Sequence, residues 1–192
     1  MDLQNMLQEI MKNPNLLKEM GNKVGASEKE VQKAALIGVP TLVEALNRNA
    51  KNEASKESLA RALDNHKNDD VDNLESFLGK ADMNDGNKML GHILGQDRSN
   101  VENRISTSTG LGGSQVQSLL SLLAPMLMGM LGKKKKEENV SDHNIGSLTD
   151  TLKISLGSAT GGGILDLVKG MLDKDNDGSV MDDLMGGLFG KK

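Results

Sequence analysis

There is no cysteine in this chain, no tryptophan and no tyrosine, and the only aromatic residues among its 192 are Phe77 and Phe189. Without thiols it has no disulfides, no thiolate metal ligands and no cysteine nucleophile, a pattern that fits a reducing compartment. Without rings, the core has to be packed from Leu, Met, Ile, Val and Ala. That mixture favours helices, because strands draw on aromatic and β-branched side chains. Proline is scarce, at three residues, while glycine is plentiful at 22. In a helical fold those glycines belong at helix ends, in turns and where two backbones approach closely.

A net positive charge is also lacking. A net charge of -4 speaks against a nucleic-acid binder, since Lys and Arg on phosphates supply most of that affinity. Met1 to Ile10 shows no basic stretch followed by an apolar run, so no secretory signal is expected. The longest apolar-rich segment, Ser118 to Gly132, is only about fifteen residues and reads as a buried helix rather than a membrane span. A cytoplasmic protein is the expectation.

Helix signals fill the chain instead. Asn13 before Pro14 has the form of a cap followed by the proline tolerated in a first helical turn, and Leu16, Leu17 and Met20 recur behind it at helical spacing. Ser27 with Glu30 forms a capping-box pair ahead of Val31, Ala34, Ala35, Leu42, Val43 and Leu46. Further helices are predicted at Ser55 to Asn65, Val71 to Leu78, Asn87 to Leu94, Asn100 to Thr107 and Gly113 to Leu131. Only Leu152, Ile154 and Leu156 alternate in a way that leaves a strand open.

A repeat organises these signals. Displaced by 85 residues, Gly25 to Leu46 falls on Gly110 to Leu131, and six of the 22 positions are identical: Gly25 and Gly110, Val31 and Val116, Gln32 and Gln117, Pro40 and Pro125, Leu42 and Leu127, Leu46 and Leu131. A gapless register with paired prolines reads as two copies of one supersecondary unit, near 15–50 and 100–132. Each unit would be a turn glycine, a capped helix and a proline that bends the helix or starts a new one. Leu119 to Leu131 is apolar on nearly every side and belongs at the centre of the bundle. The fold class expected is therefore all-α, a duplicated helical domain over 1–132. A polar linker at 133–147 and a C-terminal helical hairpin at 148–192 complete it. The basic run Lys133 to Lys136, followed at once by Glu137 and Glu138, reads as a solvated helix end or linker.

Three segments together resemble the YidB-like family of bacterial proteins, domain of unknown function 937. They are Gly25-Ala26-Ser27 leading into Val31-Gln32 and Val39-Pro40, then Asp85 to Gly95, and Gly110-Leu111 through Leu123-Ala124-Pro125-Met126. The resemblance covers roughly residues 15 to 132. It implies an all-helical domain with no established activity and carries no catalytic or binding residues over to this sequence.

One motif has chemistry in it. Asp173, Asp175 and Asp177 occupy the first, third and fifth positions of an EF-hand-like loop, with Gly178 at the sixth, Ser179 at the seventh and Val180 at the eighth. Alternating carboxylates can wrap a hard cation such as calcium, and Asp182 or Asp183 would close the shell because Leu184 stands where an EF-hand has its bidentate Glu. Apolar stripes flank the loop, from Ile164 to Leu172 and from Val180 to Phe189. The competing reading is an acidic turn in which Asp177 or Ser179 caps the last helix. A degraded counterpart spans Leu63 to Leu74, where His66 stands in place of Asp175 and the glycine is missing; a polar helix-to-helix turn is all the two would share.

His66, His92 and His143 are isolated from one another, and no nucleophile elbow, phosphate loop or zinc spacing occurs. Twelve methionines stand in for the missing rings as adaptable filler. The expectation is a non-enzymatic helical binding or scaffold protein that docks a protein partner or a second copy through its C-terminal hairpin. A calcium-responsive module is the alternative, and an enzyme the weakest class.

Overall fold

The computed structural model describes residues 2–160. Nine α-helices follow one another in that range: α1 Leu3–Lys12, α2 Pro14–Val24, α3 Glu28–Lys51, α4 Glu53–His66, α5 Leu74–Lys80, α6 Met83–Leu94, α7 Arg98–Thr109, α8 Gly113–Glu137 and α9 Ile145–Thr160. No strand occurs among the described residues, and Leu152 to Leu156 lies within α9.

Short polar side chains set the helix starts. Asp2, Asn13, Ser27, Asn52, Asn73 and Asp82 each accept a hydrogen bond from the orphan backbone N–H groups of the first turn they precede. At α3 the box is complete, since Ser27 Oγ accepts from Glu30 N while Glu30 Oε2 accepts from Ser27 N at 2.8 Å. At α8 only half of it is available: Gly112 has no side chain, yet Gln115 Oε1 still accepts from Gly112 N at 2.8 Å.

The two segments matched in sequence have corresponding helix boundaries. Shifted by 85 residues, α2 and α3 fall on α7 and α8 to within one residue at every end. Gly25 ends α2 with φ 71° and Gly110 ends α7 with φ 82°, left-handed values that glycine adopts without a Cβ penalty. Both interior prolines sit inside unbroken helices. Residues 38–47 are all buried, and so are their counterparts 123–132. Even the matched glutamines do related work: Gln32 Nε2 donates to Met11 O of α1, and Gln117 Nε2 donates to Asn87 Oδ1 of α6, each bond 2.9 Å long. Each long helix is thereby tied to the helix two elements before it.

Packing crosses between the halves. α4 follows α3 but lies mainly along α8, while α9 follows α8 but lies mainly along α3. α6 also packs chiefly on α8, so that every residue from Leu119 to Gly132 is buried. By length and composition α8 could cross a membrane, but most of it is enclosed by these neighbours.

Pro125 has no N–H to offer the carbonyl of Ser121 four residues earlier. α6 comes closest there, because Gly86 lies directly against that carbonyl; a Cβ at position 86 would overlap the oxygen and stand 2.9 Å from the carbon. Gly38 permits the crossing of the long helices, where a Cβ would lie 2.9 Å from Leu120 Cδ2.

The bundle does not stop at the polar stretch 133–147. α8 continues through the basic run to Glu137, and Ile145, Leu148, Leu152 and Leu156 of α9 enter the same core. A polar staple accompanies them: Lys153 Nζ pairs with Glu44 at 2.7 Å, and Asn47 Nδ2 donates to Thr149 Oγ1 at 3.0 Å and to Asp150 Oδ1 at 2.9 Å. Lys51 and Asn47 beside Asp150 hold its carboxyl below the usual range.

Two glycine substitutions separate backbone contact from backbone freedom. Gly86→Ala should destabilise the fold by about 3 kcal/mol, because the added methyl meets backbone that cannot rotate away. Gly113→Ala, in the first turn of α8 with open space around it, should be neutral or stabilise by about 0.5 kcal/mol. Urea titration followed by circular dichroism checks both; equal effects would contradict this account of the α6–α8 contact.

Candidate functional site

The carboxylates proposed for calcium, Asp173, Asp175, Asp177, Asp182 and Asp183, and the hydroxyl of Ser179, lie outside the described residues. Their earlier counterpart is described. It is a polar turn from α4 to α5, resting on the C-terminal half of α8. Gly129 and Gly132 admit it: a Cβ at 129 would stand 2.6 Å from Val71 Cγ1, and one at 132 would stand 2.9 Å from Lys67 N. The acids of this turn do not converge. Among the described residues, no three His, Cys, Asp or Glu side chains are grouped to hold a metal ion.

They reach instead for the basic run at the end of α8. Lys133 pairs with Asp72, Lys135 with Asp64 at 2.8 Å and with Asp142 at 2.7 Å, and Lys136 Nζ donates to Asn68 Oδ1 at 2.8 Å. The run expected to be solvated is therefore a contact surface, with the Lys135 side chain only 6% exposed. Burial disfavours the Lys135 ammonium, yet its bonds to Asp142 and Asp64 outweigh that and raise its pKa above the ordinary value. Lys133 beside Asp72 pulls that carboxyl down to about 2. Four lysines at a helix C-terminus also complement the negative end of the helix dipole.

The histidines are placed differently from one another. His66 Nδ1 is 2.8 Å from Asp69 Oδ2, a partner three residues along the chain. His92 and His143 are exposed. Ser121 Oγ is buried without a hydrogen-bond partner, one turn before Pro125.

On the other side of the same turn is a cleft of about 480 Å³. Buried Pro125 forms its floor, half-buried Phe77, Ala81 and Met89 its walls, and the exposed carboxylates of Asp70, Asp82 and Asp85 its rim. Asp69 faces it too but is engaged by His66, and Asp82 caps α6 by accepting from Asn84 N at 2.8 Å. No ion pair or hydrogen bond engages the carboxylates of Asp70 and Asp85 among the described residues. Lys80 is the one lysine on the rim. Sequence reading missed this cleft because its residues come from four elements; the only available signal was that Phe77 is an aromatic residue in a chain nearly devoid of them.

The Lys133–Asp72 pair sets a test in acid. A carboxyl lowered in the folded state contributes stability that is complete above its unfolded value of 3.8 and is lost as pH falls through about 2. Lys133→Met should return the Asp72 midpoint, followed by carboxyl NMR, toward 3.8. It should also lower stability modestly at neutral pH, where the pair is fully formed, and remove the part of the stability loss that the wild type shows between 3.8 and about 2. An unmoved Asp72 midpoint would exclude Lys133 as the cause.

No curated protein and no solved structure matches the chain. The family model described as bacterial protein of unknown function, DUF937, matches residues 5–134. That span runs from the first turn of α1 into the lysines of α8 and takes in both proline helices and the whole acid-rimmed cleft. Since the match covers more than half of its length, the chain belongs to this bacterial DUF937 family.

Proposed function

We propose that this is a non-enzymatic binding protein that docks a protein partner, or a second copy of itself, through the segment that follows α9. The observation that carries the reading is the way α9 divides its surface. Ile145, Leu148, Leu152 and Leu156 are buried in the core, while Ile154 is 72% exposed, the one exposed large hydrophobic side chain among the described residues. Beyond Thr160 the sequence continues with two further apolar stripes, Ile164 to Leu172 and Val180 to Phe189. Amphipathic segments of that length are marginal alone and need a surface to cover. A structural use of charge supports the same reading, since the lysines of α8 are paired off with the acids of neighbouring turns.

The test compares the full chain with one ending at Thr160; a cut at residue 148 would remove Leu148, Leu152 and Leu156 from the core. Light scattering and an apolar dye should show association or dye binding by the full chain that the shortened one lacks. Identical monomers with identical dye response would remove the docking role.

The Asp173-x-Asp175-x-Asp177-Gly178 pattern supports a second reading, a calcium-responsive module. Calcium should then raise the thermal midpoint, and Asp173→Asn with Asp175→Asn should abolish the rise. An unchanged midpoint at millimolar calcium would end that reading.

A further inference from the structure

Apart from any docking beyond α9, we infer that the cleft between the α4–α5 turn, α5, the start of α6 and α8 is a receptor for a protein segment in which an aromatic or large aliphatic side chain is flanked by lysine or arginine. Three observations converge on that occupant. Phe77 is the sole Phe, Tyr or Trp among the described residues, and it is only half-buried, packed against the edge of the core while lining the cleft. With Met89, Ala81 and the ring of Pro125 it forms an apolar recess. An anchor side chain of a partner is buried in such a recess.

Charge distinguishes the partner. Four aspartates line the cleft against Lys80 and a histidine already paired with Asp69. Elsewhere around the turn the acids are taken up, Asp64 by Lys135 and Asp72 by Lys133. The carboxylates of Asp70 and Asp85 make no ion pair or hydrogen bond of their own, although Lys133 lies within electrostatic reach of Asp70, and both are exposed among the lining residues. Exposed acids beside half-buried apolar side chains suit an extended chain that buries one anchor and brings its cations to the carboxylates. A volume of about 480 Å³ holds an anchor and its neighbours and not a folded element.

The test uses the full chain and a fluorescent hexapeptide with a central Leu-Phe pair and two lysines on each side, followed by anisotropy at low ionic strength. Binding should be saturable and weaken as salt rises. Asp70→Asn with Asp85→Asn should weaken it about five-fold, and Lys80→Glu should tighten it about two-fold. All three positions are exposed, so folding does not confound them. Phe77→Ala should remove most of the remaining affinity, with circular dichroism reporting the fold.

Several results would overturn the inference. One is equal binding of a peptide whose Leu-Phe pair is replaced by Gly-Ser, which would mean undirected attraction. Another is indifference to the aspartate changes, or no binding at millimolar peptide. Displacement by phenethylamine at the peptide's own concentration would assign the cleft to a small amine. Binding that appears only when Phe189, Lys191 and Lys192 are changed to serine would assign it to this chain's own C-terminal segment.

Discussion

A helix that is apolar on all sides cannot sit at a surface, and α8 is such a helix: from Leu119 to Gly132 no residue is left exposed. Each face therefore has to be supplied with a neighbour. α6 covers one side, α4 another, and α3 crosses at Gly38. Pro125 adds a second demand at the same place, because the carbonyl of Ser121 loses its intrahelical partner there. The backbone of α6 meets that carbonyl at Gly86, the position where a side chain of any kind would hold the two helices apart. Much of the architecture follows from satisfying this one helix.

The C-terminal half of α8 places the surface features of the molecule. Gly129 and Gly132 bring the α4–α5 turn down onto the helix, and the lysines that follow them capture Asp64 at the end of α4 and Asp72 of that turn. Held in this way on one side, the turn forms the wall of a cleft on the other, with Pro125 at the bottom. The proline of the central helix and the acid-rimmed recess are thus adjacent parts of one arrangement.

Local rules made much of this readable in the sequence. The cap at Asn13 with Pro14 behind it, the Ser27–Glu30 box and the glycines at 25 and 110 each depend only on residues within one turn, and each stands where its pattern placed it. The corresponding boundaries of α2 and α3 and of α7 and α8 were readable for the same reason, since each follows from the local spacing of turn glycine, helix and proline. Lys133 to Lys136 do form a helix end, but their pairing was not legible because Asp64, Asn68 and Asp72 lie more than sixty residues away and are brought near by the glycine contacts of α8. The cleft was hidden for an equivalent reason: Phe77, Met89, Asp70 and Pro125 share no periodicity. Short-range spacing carries information about helices, and a site assembled across four elements has no short-range signature.

The exchange of covering helices bears on why the two halves stay together. α4 lies chiefly on the long helix of the other half, and so does α9. Gln115 of α8 reinforces the exchange by donating from Nε2 to the carbonyl of Gly25, the glycine that introduces α3. Taken by itself, the first half would leave α3 without α9 and the second would leave α8 without α4, and removing such cover costs roughly 25 cal/mol for every Å² returned to water. Two similar units placed side by side with their own covers could separate with little loss. Two units that cover each other cannot, so the mutual burial of α3 and α8 makes one cooperative body of the two proline-containing helices and their covers.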